Sequence, residues 1–355
     1  MSAYVPGLLQ LPPDDLDRVV DAVGSRWERL RGQRLLLTGG TGFIGKWLLA
    51  TFLHANRKRG LCAQIVALSR RPEALLQEFP ELHGATEIEW LTGDVRHLTP
   101  EAAGTCNFAI HAATDVVASS TPADILETCV TGTHRVLDAM SPGITPRRVL
   151  LLSSGAVYGR TPPDLRAIPE DWSGAPDPLS PASAYGEGKR VSELLCAMRA
   201  ATRPGLEVSI ARCFAFVGPH LPFDKHFAIG NFIGAALRGE DICIQGDGTP
   251  LRSYLYAADL AHWLWVMLFD AQSGRAYNVG GAEGLSIGQL AHRVNRVLNG
   301  SGEVRIAQSP RPGAVPQAYL PSVDRIDAEL GLTATASLDE AILRTARWAS
   351  SSSRT

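Results

Sequence analysis

The sequence predicts an α/β chain built on a doubly wound parallel sheet, and three features predict it. Short apolar runs alternate with longer amphipathic stretches over the first two-thirds of the chain, the pattern of parallel strands joined by crossover helices. The first of these runs leads into a glycine-rich turn and then a helix, the order of a phosphate-binding βα unit. A length of 355 residues suits about two domains or one large α/β unit, at roughly 150 residues per domain, so burial of a sizeable core is assured.

The elements follow in order. Residues 14–30 come after Pro12-Pro13 and repeat Leu16, Val19, Val20, Val23, Trp27 and Leu30 at helical spacing, which predicts a leading helix packed on the main body. Residues 35–37, 65–68, 108–110 and 149–152 are apolar runs of strand length, and helices are expected at about 43–57, 123–140 and 184–202. Residues 160–183 hold six prolines. So long a segment without a periodic pattern is usually functional and is expected to border the site. Beyond Gly218-Pro219 the alternation weakens into Pro- and Gly-rich pieces, up to a terminal helix near 338–349, which predicts a smaller α/β C-terminal lobe. The closing run Ser350-Ser351-Ser352-Ser353 predicts a disordered tail.

Composition removes several function classes. The 34 basic and 36 acidic residues nearly cancel, so no strong field would hold nucleic acid or an anionic membrane surface. Cys62, Cys106, Cys129, Cys196, Cys213 and Cys243 form no C-x-x-C pair and have no histidine at metal-ligand spacing. Reduced thiols, no metal and a cytoplasmic location are therefore expected. The N-terminal residues carry acids where a signal peptide needs bases, and no run of about 18 apolar residues occurs, so export and membrane spanning are disfavoured.

The turn after the first strand reads Thr38-Gly39-Gly40-Thr41-Gly42-Phe43-Ile44-Gly45. Glycines let backbone approach a pyrophosphate, and the following helix presents unpaired N–H groups and a favourable dipole. Gly39, Thr41, Gly42, Phe43, Ile44 and Gly45 are thus candidate dinucleotide contacts. The second strand ends in Ser69-Arg70-Arg71, where NAD-binding chains place an acidic residue for the ribose. Guanidinium groups clamp a 2′-phosphate that a carboxylate would repel, so NADP(H) is favoured and NAD(H) is possible. The bland alternative makes Arg70 and Arg71 solvated residues at a helix start. Asp94, followed by Val95, ends another apolar run and either accepts from an adenine amino group or caps the next turn.

Ser183-Ala184-Tyr185-Gly186-Glu187-Gly188-Lys189 sets a phenol and an ammonium on one helical face. An ordinary tyrosine titrates near pH 10, too high for a base at neutrality, and a neighbouring ammonium is expected to lower that value. Tyr185 would then exchange a proton with a hydroxyl while a nicotinamide exchanges the hydride at the same carbon. Ser154, just past a strand, would hydrogen-bond the developing oxygen. Tyr185, Lys189 and Ser154 are the catalytic candidates, Lys189 counting also among the cofactor contacts.

Together these residues resemble the extended short-chain dehydrogenase/reductase family, with its nucleotide-sugar epimerases, dehydratases and ketoreductases. The likeness spans about 33–350 and rests on the glycine loop, Asp94, His111-Ala112-Ala113, Ser154, Tyr185-x-x-x-Lys189, Gly218-Pro219, Gly246-Asp247-Gly248 with Arg252, Tyr277-Asn278-Val279-Gly280 and Arg311-Pro312-Gly313. The resemblance implies a Rossmann domain over 33–212 plus about 255–281, a substrate-binding lobe from 213–254 and 282–349, an N-terminal helical extension over 1–32 and a disordered tail over 350–355. It implies that Ala112 and Ala113 line the cofactor, that Arg252 and Arg311 grip a sugar nucleotide's diphosphate, that Asn231 contacts the nucleotide and that His111 is structural. Ala215 departs from the family, since many relatives carry a substrate-contacting Asn there. A homodimer through 123–140 and 184–202 is implied as well.

The residues after Ser154 narrow the reaction. By the same resemblance, 4,6-dehydratases carry Asp-Glu there, UDP-glucuronate decarboxylases a Glu and GDP-fucose synthase a Cys at the second place. This chain has Gly155 and Ala156, neither of which carries a proton. Elimination, decarboxylation and C3/C5 epimerisation are disfavoured, leaving a 4-ketoreductase or a 4-epimerase. Ser69-Arg70-Arg71 favours NADPH-dependent reduction of a 4-keto(-6-deoxy) sugar nucleotide. A non-catalytic dinucleotide sensor is the reading from another class, and it would have no need of the Tyr-Lys pair.

Overall fold

The computed structural model describes residues 8–114, 120–140, 147–225 and 227–352. Strands and helices alternate as β1 (Arg34–Thr38), α2 (Phe43–Arg59), β2 (Gln64–Ser69), α3 (Pro72–Glu78), β3 (Ile88–Thr92), α4 (Pro100–Ala103), β4 (Phe108–His111), α5 (Pro122–Ala139), β5 (Arg147–Ser154), α6 (Ala184–Thr202) and β6 (Leu206–Cys213), with α1 (Pro13–Val23) in front. A seventh strand, Arg275–Val279, joins the edge beside β6. The order is Arg275–Val279, β6, β5, β4, β1, β2, β3, with every pair parallel. This is the Rossmann-type doubly wound sheet, and its order reverses between β1 and β4, where Thr38 faces His111. Ligands of such sheets bind outside the carboxyl ends of the strands at that switch point.

Both faces of the sheet are covered. On one side Trp27, Trp47, Trp263, Trp265 and Phe269 join Leu35, Leu37 and Phe52 in one core; on the other Val136, Leu137, Met140 and Cys196 pack on Leu36, Val149 and Leu151. Past the sheet lie α7 (Ala228–Arg238), α8 (Ala257–Asp270), α9 (Ile287–Leu298), α10 (Asp324–Leu330) and α11 (Leu338–Ser352). Only His262 and Asp270 of α8 escape full burial, and a helix apolar on all sides belongs inside a protein. Among the described residues no helix is long and apolar enough to cross a membrane.

Two elements differ from the sequence expectation. The leading helix over 14–30 stops at Val23, and Gly24–Leu30 continues as a 3-10 turn. Gly24 takes φ +65°, a left-handed conformation that glycine adopts without penalty. All six apolar positions are nevertheless buried, so the periodicity reported burial correctly and missed the break. At the other end α11 runs to Ser352, where a tail was expected from 350. Ser350 and Ser351 turn their hydroxyls back onto the carbonyls of Ala346 (3.0 Å) and Trp348 (2.7 Å), which satisfies serines inside a helix. Residues 353–355 lie outside the described ones.

The N-terminal segment is tied in by charge as well as by packing. The fully buried Asp15 carboxylate accepts from Tyr256 Oη at 2.5 Å and from Arg344 Nη1 at 3.0 Å, joining α1 to the start of α8 and to α11. Beneath the switch point a polar chain crosses the layers. His111 bonds Thr38 Oγ1 (2.8 Å) and Thr133 Oγ1 (3.2 Å), and Thr133 donates to Ser192 Oγ (2.9 Å), so β1, β4, α5 and α6 share one buried line of hydrogen bonds. His111 is the satisfied histidine that the strand-end motif implies.

Burial pushes His111 down to about 3, with the Lys189 charge adding to the effect. An unfolded histidine takes a proton below about pH 6.5, whereas the folded one does not. Stability is thus full above that pH and is lost as pH falls toward 3. Urea unfolding at pH 7 and pH 5 is expected to differ by about 2 kcal/mol on account of this site. His111→Gln, less stable at pH 7, should lack that part of the slope; an equal slope in the variant contradicts the assignment.

Candidate active site

At the carboxyl ends of β1, β2 and β3 lies a cavity of about 520 Å³. Gly39, Thr41, Gly42, Phe43, Ser69, Arg70, Arg71, Asp94, Val95, Ala112 and Ala113 all line it. Ile44 and Gly45 belong to the first turn of α2, and neither lines the cavity. Gly39 is at φ +74°, and a Cβ on it would stand 2.8 Å from the Ala112 carbonyl oxygen. No side chain caps the first turn of α2, and Gly42 and Phe43 at that end line the cavity, so the helix start is available to an anion. A glycine turn, an uncapped helix start and two guanidinium-bearing residues on one wall fit a dinucleotide.

Thr41 Oγ1 and Ser69 Oγ are 3.0 Å apart, and Ser69 Oγ accepts from Arg71 N at 3.3 Å, which fixes the end of β2 against the loop. Asp94 is more occupied than an adenine ligand would be. Its Oδ1 accepts from the N and Nε of Arg96 at 2.9 and 3.0 Å, and its Oδ2 from Nη2 at 2.9 Å. The Arg96 hydrogen bonds hold its carboxyl below the ordinary range. Of the two roles open to it, turn cap is therefore the one its geometry displays, on the rim of the cavity. His220 lines the same cavity from beyond Gly218-Pro219. Its Nε2 is 2.8 Å from the Leu9 carbonyl, its ring meets Phe79 and Trp348 edge-on, and burial pushes it down to about 3. Nothing in its sequence context marked it; only the return of the N-terminal segment places it there.

The second cluster sits at the end of β5. Ser154 Oγ accepts from Ala156 N at 3.1 Å, capping the short turn Gly155–Tyr158. α6 approaches closely because Gly188 has no side chain: a Cβ there would lie 2.9 Å from Cys129 Cβ on α5. Lys189, only 3 % exposed, sends Nζ to the Leu152 carbonyl of β5 at 2.8 Å. Tyr185, one turn earlier on the same face, is half-buried, and the Ser154 hydroxyl is near enough to act on its phenol. The structure thus brings Tyr185, Lys189 and Ser154 together.

The electrostatics correct the sequence expectation. Burial lifts the Tyr185 phenol well above its ordinary value, and the Ser154 hydrogen bond opposes the rise without cancelling it. Burial lowers Lys189 in turn. Stripping water from a phenolate outweighs what its neighbours return.

The substrate candidates are more dispersed. Arg252 holds its own strand through Nη1 and the Leu251 carbonyl (2.8 Å), with its guanidinium 5.5 Å from the centre of the Tyr319 ring. Arg311 is exposed. Asn231 lies in the first turn of α7, and its Oδ1 is buried with no hydrogen-bond partner among the described residues. None of these three, and none of the Ser154 cluster, lines the 520 Å³ cavity. Tyr319 escaped the sequence reading. Its ring is 4.6 Å from that of Phe214, and its hydroxyl is 2.7 Å from the place of a Cβ on Gly155.

Comparison with known proteins adds a family. The model of the NAD dependent epimerase/dehydratase family matches residues 35–280. UDP-glucuronic acid decarboxylase 3 of Arabidopsis thaliana is 29 % identical over 302 residues, 84 % of this chain and 83 % of that protein. UDP-N-acetyl-alpha-D-glucosaminuronate decarboxylase of Bacillus cytotoxicus is 27 % identical over 77 % of this chain and 82 % of its own length. Among solved structures, MoeE5 in complex with UDP-glucuronic acid and NAD superposes with a TM-score of 0.71 at 28 % identity, covering 90 % of this chain and 99 % of that one. UDP-glucose 4-epimerase of Thermotoga maritima superposes with a TM-score of 0.74 at 21 % identity, over 90 % and 99 % of the two chains, and shares the fold.

Gly39→Ala tests the loop. A side chain at that φ is strained by about 1–2 kcal/mol and meets the Ala112 carbonyl. Titration calorimetry is expected to show dinucleotide affinity lowered at least tenfold, as the displaced loop loses the phosphates; unchanged affinity would place the phosphates elsewhere.

Proposed function

The chain belongs to the NAD dependent epimerase/dehydratase family, and on that premise we propose that it is an oxidoreductase acting at a single carbon of a sugar nucleotide. The preferred direction is NADPH-dependent reduction of a 4-keto(-6-deoxy) sugar nucleotide. The observation that carries this reading is the hydroxyl pair of Tyr185 and Ser154, followed by Gly155 and Ala156, which hold no further acid or base. Decarboxylation is the printed activity of the curated relatives. It is not proposed for this chain, because Ala156 stands where the decarboxylases of the family resemblance carry their Glu.

In this reading Tyr185 delivers its proton to the carbonyl oxygen of the sugar while Ser154 holds that oxygen in place. A phenol kept protonated by burial suits the donating half of the reaction. A bound nicotinamide dinucleotide would supply the hydride. Lys189 orients the phenol by fixing α6 to β5, and it stays in reach of a ribose hydroxyl as a cofactor contact. Arg70 and Arg71 would clamp a 2′-phosphate, whereas the neighbour MoeE5 is solved with NAD. That neighbour is the support for the second reading, a 4-epimerase that retains NAD. Arg252 and Arg311 would take the diphosphate, and Asn231 Oδ1, buried with no partner among the described residues, would accept from a donor of the base.

The test mixes the protein with 4-keto sugar nucleotides and NADPH or NADH, following the reduced-nicotinamide band. NADPH is expected to be consumed preferentially, and Tyr185→Phe is expected to bind cofactor while turnover falls at least a hundredfold. Failure of every 4-keto substrate, with interconversion of 4-epimers in the absence of added cofactor, replaces the reductase reading by the epimerase one.

A homodimer is part of the same reading. Leu126 of α5 and Leu194 and Met198 of α6 are exposed at 39, 59 and 56 %, an apolar patch on the neighbouring pair of helices. Sedimentation is expected to give a dimer for the native chain and a monomer for Leu194→Glu combined with Met198→Glu; a native monomer contradicts it.

A further inference from the structure

The segment ahead of α1 has no part in the proposed reaction, yet one hydrogen bond joins it to the wall of the dinucleotide cavity. Among the described residues five non-glycine residues take positive φ, and three of them meet at that bond. They are Leu9 (+51°), Gln10 (+55°) and His220 (+70°), and His220 Nε2 stands 2.8 Å from the Leu9 carbonyl oxygen. A left-handed backbone is costly for a residue with a side chain and persists only where the surroundings hold it. Such strain clusters at functional sites.

Gly218-Pro219-His220-Leu221 is a turn closed by Leu221 N on the Gly218 carbonyl at 3.1 Å. Its third position, with positive φ after a proline, is ordinarily glycine or asparagine, so the imidazole stands there against the preference of the backbone. A carbonyl only accepts, so Nε2 carries the proton and the ring is the donor to Leu9. From the other side Trp47 Nε1 of α2 donates to the Pro219 carbonyl at 3.0 Å, which pins the same turn to the helix that starts at the glycine loop.

The neighbours of His220 lead into the cavity. Its ring meets Phe79 edge-on at 5.6 Å, and the Lys46 ammonium lies 5.0 Å from the centre of the Phe79 ring and 2.9 Å from Glu78 Oε2. Lys46, Glu78 and His220 all line the cavity, as Arg70 and Arg71 do. Leu9 is fully buried in the 3-10 turn Leu8–Gln10, which packs on α2, and it does not line the cavity.

We propose that residues 8–12 form a clasp on the dinucleotide cavity, shut by the hydrogen bond from His220 to the Leu9 carbonyl, and that clasp and bound dinucleotide stabilise each other. The inference rests on the reading of that cavity as the dinucleotide site. The clasp acts by position: it holds His220, and through Phe79 the Lys46–Glu78 pair, in the wall that Arg70 and Arg71 share. His220 is then a positioning residue. Such coupling is reciprocal, so the factor by which a shut clasp strengthens binding is the factor by which a bound dinucleotide keeps the clasp shut.

Two variants test the clasp from opposite ends of the bond. His220→Phe keeps an aromatic ring against Phe79 and Trp348 and removes the donor; Leu9→Ala loosens the clasp at a residue outside the cavity. Titration calorimetry with NADP+ is expected to show about tenfold weaker binding in each, with no further loss in the double variant, because both open one clasp. By hydrogen exchange, NADP+ should slow the amides of residues 8–16 in the native protein and leave them unchanged in His220→Phe. Native affinity in Leu9→Ala, or losses that multiply in the double variant, overturns the inference. A native protein that binds neither NADP+ nor NAD+ defeats the dinucleotide reading instead, and exchange without ligand still decides the clasp. Faster exchange of residues 8–16 in His220→Phe upholds it, and exchange at the native rate shows that the bond shuts nothing.

Discussion

The hydrogen bond from Lys189 Nζ to the Leu152 carbonyl, made with the lysine 3 % exposed, is the constraint on which the rest of the site depends. A charge so enclosed is costly unless fixed partners surround it. Here the carbonyl belongs to β5 two residues before Ser154, so satisfying the ammonium also sets α6 against the strand end that carries the serine. Tyr185 is one turn earlier on the same face, and its approach to Ser154 follows from that seat. Four residues further along, Glu193 takes Ser153 Oγ at 2.5 Å and the Arg212 fork at 2.7–3.2 Å, which bolts β5, α6 and β6 together beneath the site.

The same enclosure changes the chemistry. A tyrosine beside a lysine suggests a phenolate, yet here desolvation raises the phenol and lowers the ammonium. Burial acts on both partners against charge. The pair therefore looks more like a positioned proton donor than a pre-formed base. Around Lys189 the other titratable groups are thiols of Cys129, Cys196 and Cys213, all pushed up by burial, the neutral His111 and the carboxylate of Glu193. The Glu193 carboxylate favours the charged lysine, so the network under β5 also serves the ammonium.

Much of this was legible in the residues. The strands at 35–37, 65–68, 108–110 and 149–152 are buried on both faces and read as apolar runs, and α6 was visible from 184 to 202 because its glycines and its Tyr-Lys spacing are local signals. What local patterns miss is contact between distant segments. The break at Gly24 depends on how the N-terminal segment folds over α8, and the helical serines at 350 and 351 depend on hydrogen bonds to their own turn. Asp94 was ambiguous because the turn it caps is completed by Arg96, two residues on. Tyr319 and His220 carried no motif at all; one arrives over Gly155 on a two-residue strand, the other is held by the Leu9 carbonyl at 2.8 Å.

The central claim is that the Lys189 anchor delivers the Tyr185 and Ser154 hydroxyls to one oxygen of a bound sugar. A crystal structure with dinucleotide and sugar nucleotide bound tests it most directly. Both hydroxyls are expected within about 2.7–2.8 Å of the same sugar oxygen, with Lys189 still beneath α6. A sugar whose oxygens all lie beyond reach of Tyr185, or a phenol turned away from Ser154 in that complex, would contradict the account.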